Sequence, residues 1–144
     1  MVRWATVVLL PLLACSDLRE FRGSWHGKRV GDAPQLFRNV PDAVATLEVD
    51  AVAAHRLDAR ISIAGFVPET AITSLEGAEA DVLSGITFGG APLRVFLAFM
   101  PVPDGGGEAL VVVALYDDRR IEVRLLRGGM TPLYGIFALS ESSP

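Results

Sequence analysis

One thiol, two imidazoles and a few close carboxylates are the groups in this sequence whose types and spacing could do chemistry. The thiol, Cys15, follows the apolar run Trp4 to Ala14, and as a thiolate it is a nucleophile able to form a thioether. The imidazoles, His26 and His55, have no His or carboxylate at helical i+4 or strand i+2 spacing; Asp50 and Asp58 are the acids nearest His55. A metal centre built on imidazole usually needs three protein ligands at fixed geometry, so no metal is expected and both histidines read as surface residues. Carboxylates pair closely at Glu76 with Glu79 and at Asp117 with Asp118. Convergent carboxylates can do acid–base work, but these fall in turns and read as solvated charge. No Gly-x-Ser-x-Gly elbow is present, and Gly105-Gly106-Gly107 lacks the Gly-Lys-Ser/Thr of a phosphate loop. No catalytic residue and no cofactor is expected.

The frame holding these groups is a chain of 144 residues, 51% hydrophobic and 21% charged, which suits one compact domain with a sizeable core. Thirteen basic against seventeen acidic residues give a formal charge of -4. That disfavours nucleic acid, because neutralising phosphates needs a basic face. A lone Cys permits no internal disulfide and no zinc site built on several thiolates.

Beyond Gly23, short apolar runs alternate with turn residues, and hardly any stretch carries the spacing of an amphipathic helix. Arg56 to Ile63 has period two without an error: Leu57, Ala59, Ile61 and Ile63 share one face, Arg56, Asp58, Arg60 and Ser62 the other. Leu47 to Ala51 and Ile121 to Leu125 repeat this wet-and-dry pattern. Leu93 to Met100 and Leu110 to Leu115 are apolar on both faces, which implies a central position, a covered outer face or contact with something else. Asp104-Gly105-Gly106-Gly107 supplies a flexible hairpin tip and Asp117-Asp118 a tight turn. Strands are expected near 24–30, 44–52, 56–64, 70–75, 80–88, 93–100, 109–116, 119–126 and 133–139, with a short helix between Pro34 and Asn39. The fold class is all-β: an antiparallel meander closed into a small eight- or nine-stranded β-barrel, with a β-sandwich as the alternative. Closure removes two long apolar edges.

Leu12-Leu13-Ala14-Cys15 resembles the lipobox of bacterial lipoproteins; before it stand Arg3 and an apolar run that is too short to span a bilayer and is interrupted by Pro11. The resemblance implies cleavage between Ala14 and Cys15, a diacylglyceryl group on the Cys15 sulfur and acylation of the new amino group. Two or three acyl chains would anchor the domain to a membrane firmly, each buried CH₂ contributing about 0.8 kcal/mol. The expected organisation is a signal peptide over 1–14, a lipidated tether over 15–22, a barrel domain over 23–139 and a frayed tail over 140–144. The anchored chain has 12 basic and 17 acidic residues, a formal charge of -5. Ser16, not Asp, follows Cys15, and by the family's sorting rule this implies the outer membrane, facing the periplasm or the cell surface.

Gly23-Ser24-Trp25 resembles the Gly-x-Trp motif that opens lipocalins and other small meander barrels. The resemblance implies that Trp25 plugs the closed end, often against an Arg; Arg124 and Arg127 are candidates for that partner, and an ordinary core Trp beside a turn is the alternative. Phe66, Phe88, Phe96, Phe99, Met100 and Val102 exceed what one inner face needs. Part of this set faces outward, lines a cavity or thickens the core under residues 31–41. The functional expectation is a lipid-anchored envelope module, not an enzyme, that binds a small apolar ligand or an envelope protein. Ala51, Ala59, Gly65 and Ala98 are the small residues that could leave room inside the barrel. An envelope hydrolase with loop carboxylates and a structural component of an envelope complex are the alternatives.

Overall fold

Alternation along each strand sends every second side chain to a common interior. In the computed structural model, which describes residues 17–31, 43–77 and 88–142, eight strands result. They are β1 (Gly23–Val30), β2 (Val44–Val52), β3 (Arg56–Ile63), β4 (Val67–Glu76), β5 (Arg94–Val102), β6 (Gly107–Leu115), β7 (Ile121–Arg127) and β8 (Leu133–Glu141). Each pairs antiparallel with the next, and β8 returns to β1, so the meander is a closed barrel and not a sandwich. The helix expected at 34–39 lies outside the described residues. So does the strand expected at 80–88, apart from Phe88, which is in no strand.

Closing eight strands requires local bending. Register shifts between Val49 and Ala51 on β2, and between Val67 and Thr70 on β4 opposite Ile63 and Ile61, mark bulges that bend β2 and β4. On β1 the bend is at Gly27, where a Cβ would overlap the Ala138 carbonyl of β8, so only glycine allows the two backbones to approach this closely.

Both chain ends differ from expectation. The segment read as a tether contains a 3-10 helix, Leu18–Phe21, capped by the Asp17 carboxylate accepting from the Arg19 N–H at 3.0 Å. Its purpose is packing: Phe21 is fully buried beside Trp25, with ring centroids 5.8 Å apart, and the Phe21 carbonyl accepts the Trp25 indole N–H at 2.9 Å. At the other end, Ser140 and Glu141 belong to β8 and do not fray. Glu141 pairs with Trp25 in the register, and the Ser142 N–H donates to the Ser24 carbonyl, because closure of the barrel needs these last residues.

The interior is packed with large side chains. Trp25, Phe96, Phe137, Leu47, Met100 and Leu125 are among those fully buried. Ala59 and Ala98 face inward but sit among these larger neighbours, while Ala51 and Gly65 are exposed and do not line the interior at all. A barrel of eight strands has an interior just wide enough for its own side chains or for one small ligand, and the described inward positions carry mostly large side chains.

Candidate functional site

The outer surface of the barrel is divided. The outward residues of β2, β3 and β4 form a polar ladder: Arg60 reaches Asp50 at 3.1 Å and Glu69 at 3.5 Å, Arg56 reaches Asp58 at 2.9 Å, and the Thr73 hydroxyl donates to Asp58 at 2.9 Å. The guanidinium of Arg56, with the Thr73 hydroxyl, holds the Asp58 carboxyl below its ordinary pKa.

Across β5 to β8 one outward row is apolar. Phe99 lies beside Leu110, Leu110 beside Leu126, and Leu126 beside Tyr134 in successive registers. This row crosses four strands, or roughly 14 Å at the usual strand spacing. Phe99 is 70% exposed. Leu110, Leu126, Leu133 and Tyr134 line a shallow groove that ends at Arg127 and Gly128. The apolar excess noted in the sequence therefore splits: Phe96, Met100 and Val102 enter the core, Phe66 packs against its edge, and Phe99 faces solvent.

Above that row the outer face is covered. Val112, Ala114 and Tyr116 are buried although they point away from the interior, as are Glu122 and Arg124. Arg124 Nε donates to Glu122 Oε1 at 2.5 Å, with both side chains only 6% exposed, and the Phe88 ring lies 4.9 Å from the guanidinium carbon. Arg120 stacks 3.9 Å above the Tyr116 ring, and burial, with the Glu122 charge nearby, raises the Tyr116 phenol above its ordinary pKa. The sequence pattern placed Glu122 and Arg124 on a wet face, whereas both are buried, with the Phe88 ring over the Arg124 guanidinium. Arg124 thus sits on the outer face, while Arg127 is engaged at the end of the barrel opposite Trp25. The residue stacked on Trp25 is Phe21, so neither candidate takes the role the Gly-x-Trp resemblance implied.

Arg127 instead clamps two hairpins. It meets Asp104 through two hydrogen bonds, Nη1 to Oδ1 at 2.9 Å and Nη2 to Oδ2 at 2.5 Å, and its Nε donates to the Thr131 carbonyl at 2.8 Å. Asp104 also accepts from the Gly106 N–H at 2.9 Å, and these donors hold its carboxyl below the ordinary pKa. A side chain at Gly106 would overlap the Arg127 guanidinium. The Gly-rich tip is therefore pinned, not flexible, and its glycine makes room for the clamp.

The two histidines and Asp118 are held in local pairs. His26 Nδ1 is hydrogen-bonded to the Ser142 hydroxyl at 2.8 Å, and His55 Nδ1 to Glu76 Oε2 at 2.5 Å, with Arg94 3.5 Å from the other oxygen of Glu76. Asp117 and Asp118 are exposed in the β6–β7 turn, and Asp118 pairs with Arg120 at 3.4 Å. Among the described residues no three His, Cys, Asp or Glu side chains are placed to hold a metal ion, and no helix is long and apolar enough to cross a membrane. Glu79 and Cys15 lie outside the described residues. The row on β5 to β8 was foreshadowed by Leu93 to Met100 and Leu110 to Leu115 being apolar on both faces; the clamp and the buried pair were not, because neither follows from spacing within a strand. Comparison with protein-family models, with curated proteins and with solved structures found no match to this chain.

Proposed function

We propose that this chain is a lipid-anchored envelope protein, placed at the outer membrane, that works as an interaction module: it holds a protein partner against the Phe99–Leu110–Leu126–Tyr134 row and does no chemistry of its own. The observation that carries the reading is the contrast between the ion-paired ladder on β2 to β4 and the apolar row Phe99–Leu110–Leu126–Tyr134 across β5 to β8. A contiguous apolar surface on a folded domain signals an interaction site. Aromatic residues at such a surface, here Phe99 and Tyr134, are the usual anchors of binding energy. The packed interior speaks against a small apolar ligand. A hydrolase needs two convergent carboxyls in a pocket, whereas Asp117 and Asp118 stand in solvent and Glu76 is engaged by His55 and Arg94. Anchoring rests on the likeness of Leu12-Leu13-Ala14-Cys15 to a lipobox.

Capture of partners from native envelopes by the full chain tests the surface. Phe99→Glu is expected to lose the partner by about tenfold or more, as an anchor residue should, while Thr46→Glu on the polar flank retains it. Equal capture by both variants overturns the reading. Labelling with a fatty acid tests the anchor: wild type takes up label and Cys15→Ser does not.

A further inference from the structure

The barrel is closed unevenly. Between β4 and β5 the only ladder pairs among the described residues are Leu75 with Leu97 and Glu76 with Phe96, extended by the Gly77 N–H donating to the Val95 carbonyl. β5 pairs with β6 along its whole length, Arg94 to Val102, and β4 pairs with β3 from Val67 to Leu75. Among the described residues, β4 from Ser74 back to Val67 therefore has a ladder on one side only, and so has β5 from Ala98 to Val102. The core does not leak through this gap: Ile72 and Met100 remain buried, so side chains and not backbone hydrogen bonds shut the seam. Parting it breaks no ladder beyond the end near Leu75.

Two further features single out this seam. Of the two prolines found within strands, Pro68 lies in the β4 bulge opposite β3, while Pro101 lies in β5, and proline in a sheet belongs at a bulge or at an edge, where it blunts unwanted pairing. Pro101 lies within the unpaired stretch of β5, whereas Glu69–Ser74 of β4 is free of proline. The exposed apolar side chains Leu75 (62%) and Phe99 (70%) stand on either side. At the open end, the outward carboxylates are Glu69 on β4 and Glu108 beside Pro101 on β6.

An unpaired run of backbone N–H and C=O groups is a template for another strand. From this placement we infer that the seam receives an extended segment of the partner protein, which adds as a strand along Glu69–Ser74 of β4. Its outward apolar side chains meet Leu75 and Phe99, and a Lys or Arg at its end meets Glu69 and Glu108. This mode of recognition draws affinity from main-chain hydrogen bonds and specificity from alternate side chains. The inference rests on the proposed interaction role and adds the form of the partner.

The test pans a display library of random nine-residue linear peptides against the full chain in detergent. Enriched peptides are expected to alternate apolar and polar residues and to end in Lys or Arg. Bound peptide should slow amide hydrogen exchange across Glu69–Ser74 by about tenfold or more. N-methylation of alternate peptide residues should abolish binding in one phase and be tolerated in the other, because in a strand successive N–H groups point to opposite sides. No enriched peptide, protection confined to another strand, or equal effects of the two N-methylation phases overturns the inference. If it fails while Phe99→Glu still abolishes capture of the envelope partner, the interaction reading stands without strand addition. If Phe99→Glu changes nothing either, both fall.

Discussion

Replacing Arg124 by Met while Glu122 stays in place asks whether the outer face of β6 and β7 is dry. The two side chains are 6% exposed and joined at 2.5 Å, and Phe88 lies over Arg124. Their cross-strand neighbours are apolar: Val112 and Ile136 flank Arg124, Ala114 and Ala138 flank Glu122. A solvated ion pair contributes about 0–1 kcal/mol, whereas stranding one partner of a buried pair costs about 3–5 kcal/mol. Arg124→Met is therefore expected to destabilise by the larger amount. In urea this moves the midpoint down by about 2–3 M if m is roughly 1.5 kcal/mol/M. Adding Glu122→Leu removes the stranded charge and places two apolar side chains among apolar neighbours, so the double variant should recover most of the loss. A loss below about 1 kcal/mol for Arg124→Met would mean that water reaches the pair, and a double variant no more stable than the single one would refute the pairing argument.

Gly27→Ala should destabilise by about 3 kcal/mol or more, because the added methyl overlaps the Ala138 carbonyl and neither backbone can yield without opening the β1–β8 ladder; urea unfolding reads this directly. Asp104→Asn should cost about 1.5–3 kcal/mol at neutral pH through loss of the charge-assisted clamp to Arg127. The Asp104 carboxyl is depressed in the folded state, so its contribution is complete above the ordinary carboxylate range and disappears as pH falls through the folded-state value. Wild type and variant should converge in acid; a gap that persists there would assign the effect to packing. Trp25→Phe removes the indole donor to the Phe21 carbonyl and should cost about 1–3 kcal/mol, with faster hydrogen exchange in Leu18–Phe21 as its local sign.

Strands with one wet face could be read from the chain: Leu57, Ala59, Ile61 and Ile63 are buried on β3 as period two requires, and the turns fall where Gly and Asp cluster. What period two cannot report is a cover laid over an outer face, so Glu122 and Arg124 looked wet. Nor does it report a side chain that crosses between hairpins, which is why the Gly105–Gly107 tip looked loose before Arg127 was seen to hold Asp104. Three signals were nonetheless present. Gly27 interrupts a strand, where glycine marks close backbone approach. Pro68 and Pro101 mark the strands of the weak seam. Phe21 stands four residues before Trp25, close enough to pack on it once a 3-10 turn intervenes. Of the candidate site, the apolar strands were visible in composition; their alignment into a single row is a property of register and appears only when the barrel closes.

Site-specific photo-crosslinking in the native host tests the interaction surface most directly. A photoreactive residue in place of Phe99, Leu110 or Tyr134 should join the chain to one envelope protein, and the same residue in place of Thr46, Glu48 or Arg60 should not. Adducts distributed equally over both flanks, or found only on the polar one, would contradict the assignment of β5 to β8 as the face that binds.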